Sequence, residues 1–173
     1  MKIYDEGFVF INGNGKVKEE VHFSEILTLG HRISKGRSKF ILLDIKLKQD
    51  REPVIFQHFM LTEKRMERFI KLGEIYATWL FRNLSDEEIR KMNLEFGSSL
   101  KIMDGMFVYT SGKWKNKKNN FDLFDIKKVE IKNNFLIFEL MEDSKVSYIK
   151  IKVNEISNFY IIPYIVNRLS LRS

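Results

Sequence analysis

The chain contains no cysteine. That excludes a disulfide framework and a thiolate-bound zinc, and it suits a reducing compartment, so a cytoplasmic location is expected. Long hydrophobic runs are also missing. The longest, "FYIIPYIV" at residues 159–166, is far short of the roughly 20 residues that span a bilayer. The N-terminus, "MKIYDEGFVFINGNGK", carries Asp5 and Glu6 and has no sustained apolar core, so it reads as a first strand and not as a signal peptide. Histidine is scarce. His22, His31 and His58 have no second His or carboxylate at a ligand spacing such as H-x-x-x-H, so they read as structural or surface residues and no metal is expected. "SKGRSK" at 34–39 lacks Walker spacing and a following helix, and reads as a basic hairpin turn. No catalytic constellation, cofactor motif or nucleophile–base pair is visible, so the chain is expected not to be an enzyme.

What is present describes an ordinary globular chain. Its 173 residues are 44% hydrophobic and 13% aromatic, enough to bury one substantial core or two small ones. The net charge of +7 is spread over both halves, +4 in 1–84 and +5 in 101–173, with −2 between them. No basic tail accounts for it, and the excess alone raises nucleic acid binding only modestly.

The two halves resemble each other. "KIYDEGFVFINGNG" from Lys2 aligns with "KIMDGMFVYTSGKW" from Lys101, matching Ile3 with Ile102, Asp5 with Asp104, Phe8 with Phe107 and Gly13 with Gly112. After one inserted residue, Glu25, Ile26 and Leu29 match Asp125, Ile126 and Val129, and "KFILLDI" at 39 matches "NFLIFEL" at 134. Each half then offers one more strand and a helix.

Strands are predicted from period-two alternation. Val129 and Ile131 alternate with Lys128, Glu130 and Lys132, while Ile149, Ile151 and Val153 alternate with Lys150 and Lys152. Short polar breaks, "NGNG" at 12–15, "KNN" at 132–134 and "EDSK" at 142–145, predict antiparallel meanders. A first helix is expected from an N-cap at Thr62, burying Met66, Phe69, Ile70, Gly73, Tyr76, Ala77 and Leu80 and leaving Lys64, Arg65, Glu67, Arg68 and Lys71 to solvent. "SDEE" at 85–88 is a capping box with Ser85 as N-cap and Glu88 reaching back. A last helix over 159–169 would bury Phe159, Ile162, Ile165, Val166 and Leu169, with Asn158 as cap and Pro163 requiring a late start or a kink. Glu25 and Asp125, at equivalent strand ends, are expected to accept backbone N–H bonds in the following turn.

"EFGSSLKIMDG" at 95–105, "FDLFDIKKVEI" at 121–131 and "VNEISNFYIIPYIVNRL" at 153–169 carry a family likeness, as does "YDEGFVFINGNGKVKEEVHFSEI" in the first half. In them the chain resembles a bacterial family of tandem pleckstrin-homology-like proteins whose function is uncharacterised. It has Phe23 and Leu123 where that family usually carries Trp. The resemblance implies an α+β fold of two tandem pleckstrin-homology-like repeats, each an antiparallel meander, or partly open barrel, closed by one C-terminal helix. The expected division is repeat 1 over 1–84, a linking helix over 85–98 and repeat 2 over 99–173. The resemblance implies no activity.

One stretch is a candidate site. "GKWKNKKNN" at 112–120 packs Lys113, Trp114, Lys115, Lys117 and Lys118 together. The resemblance places it in the basic loop, between the first two strands of a repeat, with which phosphoinositide-binding pleckstrin-homology domains hold a headgroup. Such a loop suits an anionic membrane surface and, less well, nucleic acid phosphates. The usual basic strand does not follow it, since Asp122 stands there. Alternation sets Trp114 on the side of Met106 and Val108, favouring an inward ring over an exposed tip, and the loop reads first as a solvated hairpin turn. The aromatic surplus, Phe56, Phe59, Tyr76, Trp79, Phe81, Tyr160 and Tyr164, has burial between the repeats as its first expected use. A protein partner, met at a sheet edge or beside the C-terminal helix, is the leading expectation.

Overall fold

The computed structural model describes residues 1–11, 14–33, 41–48, 54–58, 63–111, 117–132, 134–142 and 144–170. The expected N-cap Thr62 and the turn at 34–39 lie outside them, as do Asn12 and Gly13. Among the described residues the fold is mixed α+β, with antiparallel sheets and three α-helices, and these sheets are not closed into a barrel. The chain divides into two compact units, Met1–Asn83 and Leu84–Ser173.

In the first unit, β1 (Lys2–Tyr4), β2 (Gly7–Ile11) and β3 (Val17–His22) form one sheet. The N-terminal stretch is therefore two strands and not one. It folds back at Asp5–Glu6, with Tyr4 opposite Gly7. A 3-10 turn at Phe23–Glu25 leads to the second sheet, β4 (Ile26–Ile33), β5 (Ile41–Leu47) and β6 (Val54–His58), and then to α1 (Glu63–Phe81). Phe23 sits 5.6 Å from Tyr76 and 6.0 Å from Trp79 by ring centroids, so α1 packs onto that turn. The buried stripe of α1 is Phe69, Leu72, Tyr76, Ala77 and Phe81, while Leu80 is exposed. At 100° per residue Leu80 falls only about 20° from Phe69, so periodicity places it on the stripe, and its exposure in the last turn is set by what packs there and not by spacing. Lys64, Glu67, Arg68 and Lys71 are exposed as expected, the side chain of Arg65 lying outside the description.

The second unit opens with α2 (Asp86–Lys91) and β7 (Leu94–Phe96), then repeats the course: β8 (Leu100–Met103), β9 (Met106–Ser111) and β10 (Lys117–Asp122), with β7 added at the far edge. A bend at 123–125 leads to β11 (Ile126–Lys132), β12 (Phe135–Glu142) and β13 (Lys145–Lys152), a 3-10 turn at Val153–Glu155 and α3 (Ile161–Ser170). Phe107 stacks on Phe121 at 5.2 Å and meets Phe138 at the same distance, joining the unit's two sheets. Ile162, Ile165, Val166 and Leu169 of α3 are buried, as is Phe159 just before it. Pro163 is the third residue of α3, where an N–H would have no intrahelical acceptor, so no kink is required. Asn158, the expected cap, stands just before α3 at φ 51°, and its carbonyl accepts the Ile161 N–H at 3.0 Å.

The internal correspondence reaches the hydrogen bonds. Phe23 N–H donates to the Glu6 carbonyl at 2.8 Å and Leu123 N–H to the Gly105 carbonyl at 3.1 Å. Lys48 N–H donates to Glu25 and Met141 N–H to Asp125, both carbonyls and both at 2.8 Å. The ladders break at the same place, between Ile26 and Thr28 and between Ile126 and Lys128. Leu29 faces Ile45 and Val129 faces Phe138, so β5 corresponds to β12 two residues away from the match of "KFILLDI" with "NFLIFEL". An even slip leaves every side chain on its face, so alternation cannot detect it.

Candidate functional site

The lysine-rich stretch is only partly described. Lys113, Trp114 and Lys115 lie outside the described residues, while Lys117 and Lys118 start β10 opposite Ser111 and Thr110. β10 ends its four-stranded sheet. The stretch joins the second and third strands of its meander, not the first two, because the chain already turns at Asp104 (φ 48°) and Gly105 (φ 78°). Two successive positive φ values are those of a tight two-residue hairpin turn. Within β9, Phe107 is the buried residue and Met106 is 42% exposed, so the side shared by Met106 and Val108 is not the core side. The inward reading of Trp114 loses that support.

The carboxylates singled out in the sequence act locally. The Glu25 carboxylate accepts the His22 N–H at 3.2 Å, holding the turn that precedes it. In the second unit Asp122, and not Asp125, does the comparable work, accepting the Phe124 N–H at 2.9 Å. Of the histidines, His22 is exposed and His31 is buried in β4 opposite Leu43, where desolvation lowers its pKa to about 4. The side chain of His58 lies outside the description. Tyr76 and Phe81 are buried in the first unit and Tyr160 in the second. Burial holds the Tyr160 hydroxyl well above its usual pKa and pushes that of Tyr76 up to about 12. Among the described residues no three His, Asp or Glu side chains gather as a metal-binding group.

A different surface stands out on β11, β12 and β13. The core face of this sheet holds Leu136, Phe138, Leu140 and Ile151. Register places Lys128, Glu139 and Tyr148 in one row of the opposite face, Glu130, Ile137 and Lys150 in the next, and Lys132, Phe135 and Lys152 beyond, with Met141 beside Val146 at the other end. Tyr148 is 60% exposed and Val146 49%. β13 is also the last strand of its sheet, paired only with β12 among the described residues. The carboxylates on this face are engaged: Glu130 lies 2.9 Å from Lys128, and Glu139 lies 3.7 Å from Lys127. The Lys128 ammonium correspondingly lowers the Glu130 pKa, chiefly through their hydrogen bond. Lys132, Lys150 and Lys152 form no ion pair among the described residues. The sequence shows the alternation of "KVSYIKIK" but not that the strand ends a sheet, which depends on pairings elsewhere.

Compared with known proteins, the chain matches no protein-family model and no curated sequence. No helix among the described residues is long and apolar enough to cross a membrane.

Proposed function

We propose that the chain is a non-enzymatic binding module built from two pleckstrin-homology-like repeats, that it works in the cytoplasm, and that its ligand is another protein. One observation carries this reading: β13, an eight-residue edge strand, presents Val146 and Tyr148 to solvent. Edge strands that only need protection from stray pairing carry lysine or proline and few exposed apolar side chains. The lysines of β13 suit protection, whereas Val146 and Tyr148 suit recognition. An extended segment added to such an edge gains main-chain hydrogen bonds for affinity and side-chain contacts for selectivity. Recovery of the tagged chain from its own cells tests the reading. A reproducible protein partner is expected, and a preparation free of any partner contradicts it.

The lysine run supports a second reading, in which Lys113, Lys115, Lys117 and Lys118 meet an anionic membrane surface and Trp114 enters its interface. Each ammonium near such a surface contributes about 1 kcal/mol and is screened by salt. Cosedimentation with anionic vesicles at low salt, unchanged when all four lysines become Glu, rules this reading out.

A further inference from the structure

We infer that β13 accepts an extended acidic segment of a partner as an additional antiparallel strand, in a reading that rests on the chain being a protein-binding module. The face beside this edge is graded. At one end lie Met141, Val146 and Tyr148, and at the other Lys150 and Lys152 on β13, with Lys132 two strands away. Two strand spacings are roughly 10 Å, close enough for the three ammonium groups to act on one ligand. Because Glu130 and Glu139 are already paired within the sheet, the unmatched charge on this face is positive. β13 itself, "KVSYIKIK", contains no acidic residue.

That grading specifies the occupant. A strand laid against β13 shares its pleat, so its outward side chains fall beside Val146, Tyr148, Lys150 and Lys152. Every pairing in the sheet is antiparallel, and antiparallel ladders are slightly more stable per residue. The complementary segment then reads, from its N-terminus, acidic, any, acidic, any, apolar, any, apolar. A second copy of this chain fits poorly, because pairing β13 with itself gathers the lysines of both copies on one ladder with no carboxylate to offset them. A nucleic acid strand would engage the lysines but leave the unpaired edge of β13 unused.

A small array of labelled synthetic peptides with this pattern, varied at the intervening positions and titrated with the full chain, tests the inference by fluorescence anisotropy. Saturable binding is expected, with weaker binding of peptides of the same composition in scrambled order. The Lys150→Glu and Lys152→Glu double variant should bind roughly tenfold less tightly, as expected for reversing two interface charges. N-methylation of alternate peptide amides tests the backbone ladder on the unaltered protein: one of the two alternate patterns should abolish binding. Equal binding of scrambled and N-methylated peptides would show a merely electrostatic contact and overturn the inference, as would failure of the whole array. Retention of a single-stranded oligonucleotide in place of the peptides, or self-association of the chain through β13, would overturn it as well. Capture of a cellular partner that survives the double variant would refute the β13 assignment while leaving the protein-binding reading intact.

Discussion

Gly7 shows how little room a single position can leave. A Cβ built there would stand 2.4 Å from the Val21 carbonyl oxygen, a backbone atom held by the β2–β3 ladder. Gly7→Ala should destabilise the first unit by about 2 kcal/mol or more, in the range of overpacking a filled site; an unchanged urea midpoint would refute the close approach. His31 links stability to acid. Its pKa falls from 6.5 to about 4 on folding because burial disfavours the charged ring. The unfolded chain therefore takes up a proton as pH drops through 6.5, and stability is lost from there down to about pH 4, with no further loss from this residue below. The stability difference between the native chain and a His31→Leu variant should shift by about 3 kcal/mol between neutral pH and pH 4. Denaturant unfolding across that range reads it directly, and parallel pH profiles would contradict it.

At the scale of elements, α2 illustrates what local chemistry makes legible. The Glu88 N–H donates to the Ser85 hydroxyl at 3.2 Å and the Ser85 N–H to the Glu88 carboxylate at 2.7 Å, the reciprocal pair that "SDEE" announces within four residues. Its tie to α3 is not announced. The Arg168 guanidinium donates to the Asp86 carboxylate at 2.7 Å and to the Leu84 carbonyl, and Arg90 donates to the Leu169 carbonyl at 3.1 Å. Arg90 also lies over the Phe124 ring at 5.0 Å. The hydrogen-bonded partners are some 80 residues apart in sequence and follow no periodicity, since they depend on how the helices meet. Arg168→Ala should cost the second unit about 2 kcal/mol, as charge-assisted bonds at a partly buried site do. Lys91→Ala, which breaks an exposed pair with Glu87, should change stability by less than about 0.5 kcal/mol. Urea melts that rank the two variants equally would dismiss the clamp. The β strands divide in the same way. Their alternation was readable, but the even slip between β5 and β12 was not, because it leaves every residue on its face. The Asp-Gly pair at 104–105 is itself a hairpin signal, and its turn reverses the alternation, setting Ile102 and Phe107 on one buried face.

On the scale of the whole molecule, the recurrence of sheet, turn, sheet and helix in both units was visible as a weak repeat, and the paired turn hydrogen bonds at Phe23 and Leu123 give it structural content. The candidate site was less legible. The lysine run is legible because charge density is a property of sequence, whereas the β13 surface depends on which strand ends a sheet and which cations form no ion pair among the described residues. Hydrogen–deuterium exchange of the full chain, with and without the protein partner recovered from its own cells, tests the central claim most directly. If a partner adds to the edge, amides within Lys145–Lys152 become protected on binding while those of β10 keep their free-state exchange. Unaltered exchange across β13 in a saturated complex would place the interaction elsewhere and contradict the account.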